Sequence, residues 1–542
     1  MLGYFSSIYI IVNHSRQFEK VVNVMTKQTF LRGTFFLLIA GLITRILGFF
    51  NRIVVARIMG VEGVGLYMMA VPTLFLVMTL TQLGLPIAIS KLIAEAMAQN
   101  RQDRIKKILA VSMTITGILS IIFTTAMISL APFIAKNLLT DERTMYPLIA
   151  IAPVVPIIAI SSVLRGYFQG VQNMRPSSFS QVIEQVVRIV LVAVCTKTFL
   201  PYGVEYAASG AIISSVFGEL VSLMYMLYVF KKEKNARFLT GFKTNIKDGR
   251  KTLSDLLSIA LPTTGSRLIG SISMFLEPIV VSQSLALAGL TAVAATKQYG
   301  LLSGYALPLL LLPAFITYAL STSLVPAISE AMAKKDRVTV ERRLQQSLRY
   351  SMIAGGWSVV ILYVFASPIL TLMYKSDQAT PFILLLAPCF IFYYFQGPLQ
   401  AVLQALNMAN SAMINSFVGS VVKIACILLL ATNPKFGITG VILAMNISIV
   451  TITVLHYFTV LKAIHFTIYI KDYVYCLIVL GACIYIGSFI KHFVVFSSSL
   501  LVQTLTSISI VTLMYFLLIL LFNLVKKDEI IRIPFFKKIM PR

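Results

Sequence analysis

The chain alternates long apolar stretches with short polar breaks along most of its length. Each apolar stretch reaches about the 20 residues that an α-helix needs to cross the hydrocarbon core of a bilayer. None shows the ten-residue alternation that is typical of a membrane β-barrel strand. The pattern predicts fourteen spans, near residues 30–55, 64–94, 108–132, 146–171, 177–200, 206–230, 254–284, 292–321, 346–367, 380–405, 411–431, 437–461, 472–491 and 499–525.

Composition places the chain among membrane proteins. Of its 542 residues, 58% are hydrophobic and only 12% are charged. A soluble globular domain carries about 25% charged residues, so a soluble class is excluded. We therefore predict an all-α fold, a polytopic membrane protein with about fourteen transmembrane helices.

The basic residues indicate how the chain crosses the membrane. The formal net charge is +26, and Lys and Arg concentrate in alternate loops and at the carboxyl end. Basic loops of membrane proteins stay in the cytoplasm, so this bias predicts a multi-pass protein of the cell membrane with both termini cytoplasmic and no nucleic-acid partner. One basic run could instead bind anionic lipid or a protein. The predicted inner loops are those at 101–107, 231–251 and 334–349.

Three short sequence matches indicate an internal duplication. TRILGF at 44–49 matches SRLIGS at 266–271, and PIAIS at 86–90 matches VPAIS at 325–329. The third match pairs NM at 173–174, followed by VVR ending at Arg188, with NM at 407–408, followed by VVK ending at Lys423. Six predicted spans separate the copies, which is the arrangement of a parallel repeat around an axis along the membrane normal. We predict two pseudo-symmetric six-helix lobes, with two further helices outside the repeat.

These signals divide the chain into six parts. The boundaries that we predict are an amino-terminal tail at 1–24, an N-lobe at 25–230, a basic cytoplasmic linker at 231–253, a C-lobe at 254–465, two extra helices within 466–525 and a basic cytoplasmic tail at 526–542. Met25 is followed by the basic stretch TKQTFLR and would serve as an alternative start.

Arginines inside the predicted spans are the strongest candidates for a binding site. Arg45 and Arg52 lie seven residues apart and share a helix face with Gly41 and Gly48. Because a charged side chain in the bilayer centre costs at least ~2.5–3.5 kcal/mol, such residues nearly always face a protein interior or a water-filled cavity. The repeat brings Arg267 into register with Arg45, so we predict that the three residues bind a multivalent anion such as a phosphate. The alternatives are that Arg52 reaches the membrane interface and that a buried glutamate neutralises Arg45.

Other charges within the spans have several interpretations. Glu184 and Arg188 lie four residues apart on one helix, which predicts a structural ion pair. Glu219 and Glu277 have no partner nearby in the sequence, and each would either bind a coupling ion or balance a cation. Arg165 is expected to reach the lipid headgroups.

Metal and nucleotide sites are not predicted. The four histidines are scattered, and the five cysteines lack the spacing of metal ligands. The chain contains no GxxxxGK[ST] motif, so we expect no direct ATP binding and no cofactor.

Three long stretches resemble the stage V sporulation protein B family, in the polysaccharide-exporter branch of the multidrug/oligosaccharidyl-lipid/polysaccharide flippase superfamily. They are TFLRGTFFLLIAGLITRILGFFNRIVVARIMGVEGVGLYMMA at 29–70, LTQLGLPIAISKLIAEA at 80–96 and ALPTTGSRLIGSISMFLEPIVVSQSL at 260–285. The first stretch also looks like the first-helix motif of the MurJ lipid II flippases. Its arginines line the central cavity in that family, which carries over to Arg45 and Arg52. An acidic residue commonly follows the second arginine there, and this chain has Ile53 instead.

The resemblance implies a fourteen-helix, two-lobed exporter rather than an enzyme. Its substrate would be an undecaprenyl-pyrophosphate-linked sugar or peptidoglycan precursor, moved outward by alternating access during spore cortex formation, with cell-wall synthesis proteins as partners. The alternatives are a cation-coupled multidrug exporter of the same fold, or a membrane enzyme or scaffold of cell-wall assembly. An exporter of cations should carry carboxylates in its cavity, and an enzyme should carry clustered catalytic Asp or His.

Overall fold

A computed structural model describes residues 2–232, 249–464, 466–467, 469–494 and 497–525, with side chains from residue 40 onward except that of Ser266. The carboxyl tail at 526–542 and most of the predicted linker lie outside these residues. Across the described ranges the chain is helical and forms no strand. This confirms the predicted all-α class.

The helices follow the predicted spans closely. In chain order they are α1 Leu2–Gln82, α2 Leu85–Ala98, α3 Gln102–Phe133, α4 Met145–Ile151, α5 Val154–Gly170, α6 Arg175–Phe199, α7 Val204–Lys232, α8 Arg250–Leu287, α9 Ala292–Gly300, α10 Leu307–Leu311, α11 Ala314–Ala333, α12 Arg337–Tyr374, α13 Thr380–Ala405, α14 Ala409–Leu430, α15 Ile438–Ile464, α16 Ile470–Phe493 and α17 Leu500–Leu521. Two π-helical turns, Ile134–Leu138 and Leu301–Ala306, interrupt the α-helical geometry.

Local chemistry sets several of the helix ends. The side chain of Asp336 accepts a hydrogen bond from the backbone N–H of Thr339 at 3.0 Å and caps the start of α12. Helix α1 contains a break at Gly60, whose φ of 67° lies in the left-handed region that favours glycine. Helix α12 runs from its basic start at Arg337 to Tyr374 over 38 residues, with a break in the helical geometry at Phe365.

The number of spans agrees closely with the prediction. In the described ranges, twelve helices are long and apolar enough to cross a membrane, or thirteen when the pair Ala292–Leu311 and Ala314–Ala333, bent by 52°, counts as one span. The first of them, Ala40–Ala98, has 59 residues. It contains the break at Gly60 and the end of α1 before α2, and at 1.5 Å per residue its helical parts add up to roughly 90 Å, which is enough for two crossings. The total of fourteen stays a prediction.

The backbone confirms the internal duplication. Three pairs of left-handed, non-glycine residues are each separated by 235 positions: Asn100 and Lys335, Thr140 and Lys375, and Gln172 and Asn407. Such residues are uncommon. In the first and third pairs, the residue after the left-handed one donates its N–H to the carbonyl five positions back, as in a Schellman helix end. The two halves of the chain thus end corresponding helices in the same way.

Backbone proximity divides the chain into two compact units. Unit 1 comprises Met1–Val55, Thr73–Ala131 and Tyr146–Ser271, and unit 2 comprises Ala56–Pro72, Pro132–Met145 and Ile272–Arg542. Two short segments of the first half of the sequence therefore belong to the same unit as the second half. The predicted lobe boundaries near 230 and 254 stay a prediction.

Each unit has its own apolar core. In unit 1, side chains of α2, α3, α5 and α7 form one buried cluster around Tyr167 and Phe168. In unit 2, α16 and α17 pack against α12, with Tyr515 fully buried between them. A second cluster joins α11, α12 and α13. The two helices outside the repeat are thus attached through α12.

Candidate substrate site and intramembrane ion pairs

The arginine face of α1 is accessible. The side chains of Arg45 and Arg52 are exposed. A Cβ atom built on Gly41 would meet no neighbouring atom within 4 Å, and one built on Gly48 would lie 3.9 Å from the side-chain oxygen of Gln185. The face of α1 that carries these arginines is therefore open around Gly41 and lies beside α6 at Gly48.

The third predicted arginine has similar surroundings on another helix of unit 1. Arg267 is exposed on α8. Cβ atoms built on the nearby Gly265 and Gly270 would also meet nothing within 4 Å. Among the described residues, no carboxylate forms an ion pair with Arg52 or Arg267. The convergence of the three arginines on one space stays a prediction.

A network of two arginines and two glutamates lies inside unit 1. Arg188 binds Glu184, as predicted from their spacing on α6. Arg165 of α5 donates to Glu219 of α7 at 2.9 Å and lies 3.6 Å from Glu184. Charges of the four side chains cancel, which is the condition for burying ionic groups at tolerable cost. The structural role of the network stays a prediction.

Two expectations for these residues change with the structure. Arg165 was expected at the lipid headgroups, and this is wrong, because it binds buried glutamates instead. Glu219, which lacked a partner in the sequence, has Arg165 as its counter-ion, and its side chain is only 3% exposed. The partners come from different helices, so helical spacing gave no signal for them.

Glu277 is neutralised by a residue of a different helix. Its carboxylate accepts a hydrogen bond from the ammonium group of Lys423 on α14, and the two side chains are 15% and 18% exposed. Lys423 lies 235 positions after Arg188, the same separation that relates the repeated helix ends. A half-buried cation thus recurs at matching positions in both halves. The repeat indicates the position of this cation, whereas no spacing in the sequence indicates its partner Glu277.

We expect a Glu277→Gln variant to be destabilised by about 2–3 kcal/mol, since a hydrogen bond to a charged group is worth about that much and its loss leaves Lys423 unpaired. A Glu277→Leu, Lys423→Met double variant should recover most of the loss. The measurement is thermal unfolding of the purified protein in detergent.

Transport by that double variant separates the two roles proposed for Glu277. Retained transport indicates that the carboxylate only balances Lys423, whereas a stable but inactive double variant indicates ion coupling.

A further ionic group in unit 2 was not predicted. Arg143 binds Asp141 at 2.9 Å and also binds Glu62, while the ammonium group of Lys297 lies 3.1 Å from the other oxygen of Glu62. Thr296 donates to Asp141 at 2.8 Å. We call Glu62, Asp141, Arg143 and Lys297 the four-charge cluster. Its members come from three separate parts of the sequence, so no local pattern indicates it.

Arg143 and Thr296 together lower the pKa of Asp141. Burial alone would raise the pKa of this carboxyl group, but hydrogen bonds from Arg143 and Thr296 hold it below its ordinary value. Asp141 therefore remains a carboxylate at neutral pH. Among the described residues, no group of three or more His, Cys, Asp or Glu is placed to hold a metal ion.

Comparison with known proteins identifies the relatives of the chain. The family described as "Polysaccharide biosynthesis protein" matches residues 30–332, and the family "MatE" matches residues 262–429. Stage V sporulation protein B of Bacillus subtilis (strain 168) is 56% identical over 518 residues, which cover 96% of this chain and 100% of that protein. Lipid II flippase MurJ of the same organism is 25% identical, over 73% of this chain and 76% of that protein.

A solved structure shows the same fold. The structure of "Lipid II flippase MurJ, inward closed conformation" superposes with a TM-score of 0.67 at 17% identity, covering 90% of this chain and 98% of that one. At this identity the similarity concerns the helical architecture alone.

Proposed function

Because the chain belongs to the polysaccharide biosynthesis protein family, in the branch of stage V sporulation protein B, we propose that this multi-pass membrane protein flips a lipid-linked, pyrophosphate-containing sugar across the cell membrane. The substrate is an undecaprenyl-pyrophosphate-linked oligosaccharide or peptidoglycan precursor, and the process that it serves is spore cortex synthesis. The relative named a lipid II flippase supports this substrate class.

The imbalance between cations and carboxylates supports an anionic substrate. Glu184, Glu219 and Glu277 already have cationic partners. By contrast, Arg52 and Arg267 are exposed on helices of membrane-spanning hydropathy, and no described carboxylate pairs with them. An exposed guanidinium group in such a helix needs water or an anion beside it. Its planar set of donors matches phosphate oxygens.

The proposed mechanism is alternating access between two lobes. Arg45, Arg52 and Arg267 hold the pyrophosphate, and the sugar occupies a hydrated space beside them. The prenyl chain stays in contact with lipid. With both termini in the cytoplasm, the site receives its substrate from the inner leaflet and releases it to the outer leaflet. No covalent step on the substrate is required.

The direct test is reconstitution of the purified protein into liposomes that contain fluorescent lipid II. An outer-leaflet quencher measures how fast the lipid changes sides. We expect transfer to require both the protein and the pyrophosphate, so a fluorescent undecaprenol without phosphate should not move. Equal transfer of the two lipids would contradict the proposal.

A cation-coupled multidrug exporter is the second candidate, because residues 262–429 match the MatE family. Such a protein would need a carboxylate available for an organic cation. The pairing of the three glutamates with Arg or Lys disfavours this function. Saturable uptake of an organic cation by the same liposomes, without movement of lipid II, would favour it instead.

A further inference from the structure

Two segments of the first half of the sequence are integrated into unit 2. They are Ala56–Pro72 and Pro132–Met145, and we call them the outer segments. Arg57 shows where they bind: its guanidinium group donates to the backbone carbonyls of Met373, at 2.6 Å, and Leu372. These carbonyls end α12, whose opposite end carries the basic residues that predict a cytoplasmic location. The first outer segment thus contacts the end of α12 that is predicted to lie away from the cytoplasm.

Hydrogen bonds fix both outer segments to the remainder of unit 2. Gln283 of α8 donates to the carbonyl of Asn137 at 2.6 Å, and the neighbouring Ser282 donates to that of Leu139. The hydroxyl group of Tyr305 donates to the carbonyl of Ala56 at 3.2 Å. Side chains of the second half of the sequence therefore satisfy backbone groups of the first half.

The backbones also approach closely. A Cβ atom built on Gly300 would lie 2.5 Å from the carbonyl oxygen of Val61, so only glycine allows this contact. A Cβ atom on Gly65 would likewise overlap the backbone of Thr296. The backbones of the first outer segment and of the region around Gly300 are therefore in direct contact at these points.

Irregular helical geometry coincides with this region. The break at Gly60 lies within the first outer segment, and one π-helical turn, Ile134–Leu138, lies within the second. The other described π-helical turn, Leu301–Ala306, follows the glycine that contacts Val61. Breaks and π-turns supply positions where a helix bends without unfolding.

The four-charge cluster is the ionic part of the same contact. Glu62 belongs to the first outer segment and binds Arg143 of the second as well as Lys297 of α9. An apolar contact would lose its burial energy when separated, whereas ionic groups regain hydration when water enters. A contact that is held by ion pairs can therefore separate at a small net cost in free energy. This property suits a contact that must form and break in each cycle.

We propose that the outer segments form an outer latch, held by Glu62 between Arg143 and Lys297, which closes the exit on the side away from the cytoplasm and must release for substrate to leave. The proposal rests on the proposed flippase function, since a latch is needed where the protein alternates between two openings. It adds the location of the closure and the carboxylate that holds it.

The test measures opening without any substrate. Ser282 is completely buried against the second outer segment. In a Ser282→Cys background, right-side-out vesicles are treated with a membrane-impermeant maleimide, and the parent protein without this cysteine gives the background from the native thiols. We expect Glu62→Gln to raise the labelling rate about tenfold or more, because it removes charged hydrogen bonds to two partners. Lys297→Gln removes one partner and should give a smaller increase.

The matched control lies in the same outer segment. Glu142 pairs with Lys136, and both side chains are about 70% exposed, so Glu142→Gln removes a carboxylate from a solvated pair of little energetic value. Its labelling rate should equal that of the Ser282→Cys protein without a second substitution. Size-exclusion profiles identify any variant that fails to fold.

Two results overturn the latch. One is a labelling rate that is unchanged in both folded Glu62→Gln and Lys297→Gln variants, and the other is an equal increase in Glu142→Gln. The outcome is separable from that of the proposed function. Faster labelling of Glu62→Gln in a protein that moves no lipid II supports the latch and rejects the flippase, whereas lipid II transfer with unchanged labelling supports the flippase and rejects the latch.

Discussion

An Arg45→Glu variant is expected to reach the membrane in normal amounts and to transfer no measurable lipid II in the liposome assay. The substitution removes a cationic donor and places an anion beside the pyrophosphate. One charged hydrogen bond is worth about 1.5–3 kcal/mol, and adding repulsion should reduce transfer by at least about a hundredfold. Arg267→Glu should have an effect of the same order, because the matching motifs TRILGF and SRLIGS predict that Arg267 is in register with Arg45.

The control for this experiment reverses the same charge elsewhere. Lys136 is 70% exposed and lies beyond α3, so Lys136→Glu changes the net charge equally without altering the arginine face. Arg45→Lys is a second comparison, since it keeps the charge and loses the planar set of donors. Full transfer by Arg45→Glu would remove the anion site from the mechanism. Transfer by Arg45→Lys at an intermediate rate would show that the geometry of the guanidinium group contributes.

The fold was accessible from the sequence because its signals are local and periodic. Helix length and polarity are properties of continuous stretches, and a bilayer imposes one length on them. The duplication was accessible for a similar reason, since Pro86 and Pro326 lie in matching motifs. The structure adds that the helix ends at Asn100 and Lys335 follow the same hydrogen-bonding pattern.

The ion pairs were only partly accessible. Glu184 and Arg188 lie on one helix at a spacing that brings them together, so their contact could be predicted. Arg165 and Glu219 lie 54 positions apart and meet only because α5 and α7 pack against each other. The four-charge cluster depends in addition on two segments that come from the first half of the sequence but belong to unit 2. Such contacts are set by tertiary packing and have no spacing rule.

The same limit applies to the arginine face. Spacing placed Arg45 and Arg52 on one side of α1, and the structure shows that both side chains are exposed. Whether water or acyl chains surround an exposed side chain depends on the arrangement of whole helices in the bilayer. Helix spacing determines on which face of its helix a side chain lies, and it does not determine what that face contacts. The charge-reversal experiment therefore tests a property that sequence reasoning could propose but not establish.

Glu219→Gln should be among the most destabilising single substitutions in unit 1, with an expected loss of about 3–5 kcal/mol in the free energy of unfolding. It removes the nearest counter-ion of Arg165 and leaves one carboxylate, Glu184, for two arginines. Thermal unfolding in detergent measures the loss. Glu95→Gln is the matched control, because Glu95 is an exposed residue of α2, and its substitution should change stability by less than about 0.5 kcal/mol.

A second substitution shows whether the loss comes from an unpaired charge. Arg165→Met, combined with Glu219→Gln, removes the unpaired guanidinium group and leaves the neutral Glu184–Arg188 pair. Replacing a buried ion pair by well-packed neutral groups is often without cost, so the double variant should be clearly more stable than Glu219→Gln alone. If the double variant is instead less stable than either single variant, Arg165 contributes through packing of its side chain, and charge balance is not what holds α5, α6 and α7 together.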